Sequence, residues 1–75
     1  MMIKIGKSYI CNPIGTNYEV IGHVECTYTN TAVIYVKQYD QRDRSVIYDS
    51  KYRLLVKLCD MYSVVETELF FWVIL

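Results

Sequence analysis

Neither sign of charge is in excess: eight basic residues balance eight acidic ones, and the formal net charge is zero. A general nucleic-acid binder is usually strongly basic, so this balance argues against that class. Glycine occurs only three times, at isolated positions, which leaves no glycine-rich loop to cradle a phosphate. Histidine occurs once, as His23. A serine or cysteine nucleophile needs a positioned base, and no serine or cysteine here sits in a recognisable nucleophile context beside that imidazole. The chain therefore reads as non-enzymatic, with no catalytic residue and no cofactor.

The cysteines, Cys11, Cys26 and Cys59, are odd in number and widely spaced, unlike the dense even set of a small secreted scaffold. With His23 they could supply the four ligands of a zinc site. No two of them have zinc-knuckle spacing, and on a regular strand His23 and Cys26 point to opposite faces. No metal site is expected. Long apolar runs are missing too. The longest, residues 69–75, falls well short of the roughly 20 residues that span a bilayer, and the start has no apolar stretch suited to a secretory leader. The expectation is a protein of a reducing, bacterial cytoplasm with no membrane partner.

What is present is apolar and aromatic. Hydrophobic residues make up 53% and charged ones 21%, with eight tyrosines, two phenylalanines and one tryptophan. At 75 residues there is room for one small domain, which needs this apolar content because so short a chain buries a modest share of its surface.

Period-2 alternation dominates. Over residues 18–28 the even positions Tyr18, Val20, Gly22, Val24, Cys26 and Tyr28 form an apolar face, and Glu19, Ile21, His23, Glu25 and Thr27 form a mixed one. This is the pattern of a half-buried antiparallel strand, and Gly22 within it marks a bulge or bend. A second strand is expected from Ala32 to about Tyr39, a hairpin loop over residues 40–43, a third strand over residues 45–48 and a fourth over residues 51–58. Short strands are expected at residues 3–5 and 9–11, with a loop over residues 12–17 around Pro13 and Gly15. Residues 60–66 fit either one strand or a helical turn followed by a strand. The sum is an all-β domain: a small SH3-like or OB-like barrel, or an open roll, of five to six short antiparallel strands.

Ile5-Gly6-Lys7-Ser8-Tyr9, and Gly15-Thr16-Asn17-Tyr18-Glu19-Val20 leading into Ile21-Gly22-His23, resemble a small family of bacterial and phage proteins known only as a domain of unknown function. Val33-Ile34-Tyr35 and Gln38-Tyr39 continue the likeness, which covers residues 3–39 with an echo in residues 61–66. The second half departs: Leu55-Val56-Lys57-Leu58 stands where the family carries Trp-Val-Arg-Pro. The resemblance implies an SH3-like β-fold and a phage or prophage setting, and it brings no activity with it.

Two features invite a function. Arg42, Arg44, Lys51, Arg53 and Lys57 form a basic set with Tyr39, Tyr48 and Tyr52 nearby, suited to a nucleotide, single-stranded nucleic acid or an acidic protein surface. Against it stands a solvated face partly neutralised by Asp40, Asp43 and Asp49, for which turn formation and surface ion pairing are expected. The second feature is the non-alternating tail, with Leu69, Phe70, Phe71, Trp72 and Ile74. As a strand it wants burial on both faces, which points to a homodimer or partner interface; the alternative is a core plug at Trp72. The leading expectation is a phage or prophage accessory protein that binds and modulates a host protein, for example as a defence-system inhibitor. The alternative is a homo-oligomer that binds a nucleotide or single-stranded nucleic acid through its basic, tyrosine-bearing face, with Arg42, Arg44, Lys51, Tyr52, Arg53 and Lys57 as the ligand-binding residues.

Overall fold

Alternating apolar residues build the sheet as expected. The computed structural model describes residues 3–65. Five strands, β1 (Ser8–Cys11), β2 (Val20–Thr27), β3 (Thr31–Gln38), β4 (Arg53–Lys57) and β5 (Met61–Val65), form one antiparallel sheet in the order β4-β3-β2-β1-β5. The sheet curls into a half-barrel, so the fold is all-β with one short helix, α1 (Arg44–Asp49), between β3 and β4.

The core lies inside the curl. Tyr9 and Cys11 from β1, Val20 and Val24 from β2, Ala32, Ile34 and Val36 from β3, and Val56 from β4 are buried at alternate positions, with Ile47 from α1 and Met61 closing the ends. Among the described residues the curl is closed by backbone hydrogen bonds from a loop. The loop after β1 sends the Ile14 amide to the Leu55 carbonyl on the outer edge of β4 at 3.0 Å, and the Asn12 amide to Asp60 at 3.0 Å. Each bond satisfies a donor that the curvature would otherwise strand.

Gly22 sits at a bulge. Ile21 lies opposite Gln38 while Gly22 lies opposite Val36, leaving Lys37 as the extra residue. A Cβ at Gly22 would come within 2.8 Å of the Tyr35 carbonyl oxygen, so the bend requires glycine. A second register slip between Val24 and Cys26 has no glycine to mark it. It leaves Glu25 extra and puts Cys26 opposite Val33, on the same outer face as His23 opposite Tyr35. The expected separation of His23 and Cys26 to opposite faces is thereby overturned.

The other departures are local. Residues 3–5 form no strand. Residues 40–43 form not a hairpin loop but a 3-10 turn, Gln41–Asp43, with the Asp40 side chain accepting the Arg42 amide at its start. The strand expected at residues 45–48 is instead α1. Its β-branched and aromatic residues favour a strand, but the segment enters from the capped turn and drops Ile47 into the core as a helix. The fourth strand begins at Arg53 rather than Lys51, because Lys51 and Tyr52 take positive φ values of 58° and 69° in the turn that leaves the helix. Residues 58–60 form a 3-10 turn ahead of β5, the second of the two forms expected there.

Candidate interaction surface

Cross-strand register assembles the outer face. Val65 pairs with Ser8, Ser8 with His23, His23 with Tyr35 and Tyr35 with Arg53, one row crossing all five strands. On this row the His23 and Tyr35 rings lie 5.6 Å apart. The Arg53 guanidinium stands 5.4 Å over the Tyr35 ring while its Nε donates to Glu25 Oε1 at 2.9 Å. Lys37, extruded by the bulge, reaches along the face and donates from Nζ to Ser8 Oγ at 3.3 Å.

Tyr52 is the hub where this row meets the helix. Its ring stacks on Tyr35 at 6.0 Å, lies 5.8 Å from Tyr48 of α1, and meets Tyr39 edge-on at 6.1 Å. Such offset and T-shaped pairs are the favoured aromatic geometries. The unusual backbone of Tyr52 is what aims the ring here. It is held by its own amide donating to Ile47 O at 2.9 Å and its carbonyl accepting from Val36 N at 2.8 Å. A left-handed backbone at two successive non-glycine residues is costly and persists only where the surroundings fix it, a pattern enriched at functional sites.

The clustered phenols act on one another, and this separates their acidities. Tyr48 and then Tyr52 hold Tyr39 below the ordinary tyrosine value. The adjacent Tyr39 phenol, followed by lost hydration, pushes Tyr52 up to about 12. Tyr48 remains 53% exposed, so the patch presents an open aromatic surface.

The basic residues singled out in the sequence are spread around this patch. Arg53 and Tyr52 lie within it. Arg44 is exposed at the start of α1 and close enough to act on the Tyr39 phenol. Lys51 is exposed on the adjoining turn. Lys57 lies at the opposite end of β4, paired with Thr31. Arg42 is committed elsewhere: its Nε and Nη2 grip both oxygens of Asp40 at 2.9 and 2.8 Å, and its guanidinium covers the Tyr18 ring at 3.9 Å. That fork holds Asp40 at about 2, well below the usual carboxylate range.

Asp43 is not the surface group expected from its polar neighbourhood. It is buried, with both carboxylate oxygens on the amides of Asn17 and Tyr18. Among the described residues no group of three or more histidine, cysteine or acidic side chains is placed to hold a metal. Cys11 is sealed in the core, and burial pushes its thiol up to about 12, with the Glu19 charge adding to the effect. Cys59 is exposed. The interface residues expected in the tail, Leu69, Phe70, Phe71, Trp72 and Ile74, lie outside the described residues. Among those described, no helix is long and apolar enough to cross a membrane.

His23 and Tyr35 are the site residues that sequence reasoning missed. Each is an outward position of an alternating strand, and that parity was readable. The register that pairs them was not.

The fold and the surface together define a small antiparallel half-barrel carrying a tyrosine patch. Comparison with protein-family models, with curated proteins and with solved structures returned no match.

Proposed function

We propose that the chain is a non-enzymatic protein-interaction domain that docks on a partner through the patch formed by Tyr35, Tyr39, Tyr48 and Tyr52 with His23 and Arg53. The observation that carries this reading is the ring cluster around Tyr52, open to solvent at Tyr48 and built on a constrained backbone. Tyrosine and arginine are the residues that dominate binding energy at protein interfaces. The arginine forks support a protein partner over a phosphate: Arg42 is occupied by Asp40 and Arg53 by Glu25, each within 2.9 Å. A phosphate would have to displace a carboxylate from either one. The likeness to phage and prophage proteins supports a host protein as the partner and an accessory role, such as inhibition.

Arg44 and Lys51 make no ion pair among the described residues and flank Tyr48, which supports nucleotide or single-stranded nucleic-acid binding as the second reading. One experiment separates the two. The immobilised chain and its Tyr48→Ala variant are compared for capture from a nuclease-treated bacterial lysate, and both are titrated with a fluorescent single-stranded oligonucleotide. On the interaction reading a stoichiometric protein partner is retained and Tyr48→Ala weakens it about thirtyfold, the loss typical of a hot-spot tyrosine. Capture insensitive to Tyr48→Ala overturns that reading. Tight oligonucleotide binding that weakens steeply with salt establishes the other.

A further inference from the structure

The bulge that extrudes Lys37 also opens the sheet. Beyond the Ile21–Gln38 pair, β2 and β3 frame a cleft of about 300 Å3 lined by Ile10, Glu19, Ile21, Gln38, Tyr39 and Asp40. This is the lower end of the size range of ligand sites, enough for one long side chain. Ile10 and Ile21 are half-buried and give it apolar walls, and Tyr39 gives it an aromatic one. The two carboxylates differ. Asp40 spends both oxygens on Arg42, leaving that pair neutral. Glu19 is exposed and makes no ion pair among the described residues. Lys37, which could have neutralised it, is turned to Ser8. The cleft therefore combines apolar and aromatic walls with one uncompensated negative charge.

We infer that this cleft takes a lysine or arginine side chain of the protein partner, with the alkyl stem along Ile10 and Ile21 and the cationic head at Glu19 and Tyr39. Long basic side chains are the ones that combine an apolar stem with a positive end, and tyrosine faces attract cations. An acidic side chain would meet repulsion from Glu19, and a neutral one would gain nothing from it, so the charge selects the partner as well as holding it. Tyr39 also meets Tyr52 at 6.1 Å, which makes the cleft continuous with the tyrosine patch. The inference rests on the interaction reading for the identity of the partner, but the preference of the cleft can be read without that partner.

The test is a titration of the isotope-labelled chain with Nα-acetyl-lysine methylamide, followed through its backbone amide spectrum. The amides of Glu19, Ile21, Gln38 and Tyr39 shift and saturate in the millimolar range, and the neutral Nε-acetylated analogue leaves them in place. Glu19→Gln weakens the lysine titration about fivefold, the upper end of an exposed ion pair, and Glu19→Lys abolishes it. Equal shifts from the neutral analogue, or none from the lysine derivative, overturn the inference. Tyr48 does not line the cleft, so Tyr48→Ala keeps the preference of the titration for the lysine derivative over its neutral analogue. A flat titration beside a Tyr48-dependent partner sinks the cleft alone. A Glu19-dependent titration beside a Tyr48-insensitive partner sinks the interaction reading alone.

Discussion

The Asp43 carboxylate lies 3.0 Å from the amide nitrogen of Tyr18, a residue 25 positions earlier in the chain. The neighbouring Asn17 amide adds contacts of 3.1 and 3.2 Å to the two oxygens. The side chain is 1% exposed, the one buried charged group among the described residues. It fastens the turn that leads into α1 to the loop that leads into β2. The Arg42 guanidinium then lies over the Tyr18 ring and covers the joint.

Removing that acceptor leaves two part-buried amide donors, of Asn17 and Tyr18, without a partner. Asp43→Ala is therefore expected to cost about 1–3 kcal/mol, a large part of the margin of so small a domain. Asp43→Asn keeps one acceptor oxygen and should fall between. Urea denaturation followed by tyrosine fluorescence measures both, and an unchanged midpoint for Asp43→Ala would show that water satisfies the amides.

How far the sequence carried depends on what kind of signal each element left. Alternation over β2, β3 and β4 made the all-β class readable, because a half-buried strand repeats at a period no helix shares. Gly22 made the first bulge readable. The second, at Glu25, has no glycine, so nothing in the chain marks where His23 and Cys26 come to share a face. The helix at Arg44–Asp49 was unreadable for another reason. Six residues are too few for a helical stripe, and Ser-Val-Ile-Tyr leans toward a strand until Ile47 finds the core. The site divides in the same way. Tyr39, Tyr48, Tyr52 and Arg53 are close in sequence and were seen together, whereas His23 and Tyr35 join them only through strand register.

Gly22→Ala tests the close approach at the first bulge. The new Cβ would stand 2.8 Å from the Tyr35 carbonyl oxygen and 3.0 Å from the Ile34 Cδ1 methyl. The backbone atom cannot rotate away, so the strands must part. Overpacking of this kind costs about 1–3 kcal/mol, which in a domain this size lowers the melting temperature by several degrees per kcal/mol. Because Tyr35 belongs to the tyrosine patch, partner binding should weaken in parallel with stability. A variant that melts normally would show that the bulge relaxes without cost.

Lys51→Gly acts in the opposite direction. Lys51 is exposed at a φ of 58°, a conformation in which its Cβ crowds the following carbonyl. Glycine removes a strain of roughly 1–2 kcal/mol and restores roughly 0.5–1 kcal/mol of unfolded-state freedom, so a net gain of up to about 1.5 kcal/mol is expected. Tyr52, at 69°, is expected to respond differently. Tyr52→Gly relieves similar strain but deletes the ring that Tyr35, Tyr39 and Tyr48 all meet, so it should abolish binding. Thermal melts of the two variants give the comparison, and a Lys51→Gly protein less stable than the parent would show that the turn carries no strain.

The three cysteines should separate by reactivity, and the order follows from burial. Cys59 is exposed and reacts at once with a thiol reagent at neutral pH, while Cys26 is half-buried and follows. Cys11 is 0% exposed, and burial, reinforced by the charge of Glu19, raises its thiol from 9.0 to about 12. Thiolate is the reacting species, so Cys11 should be silent until the protein unfolds. The same shift fixes a pH dependence. A thiol whose folded value is raised stabilises the fold in its neutral form, so its contribution is complete below about 9 and is lost as the pH climbs toward 12. Cys11→Ala should flatten the part of the alkaline stability loss in that window that belongs to this thiol, while the tyrosine contribution remains. Stoichiometric labelling in native buffer, with mass spectrometry to locate the adducts, decides the first point. A Cys11 adduct formed as fast as the Cys59 adduct would mean that the core opens at Cys11 without global unfolding.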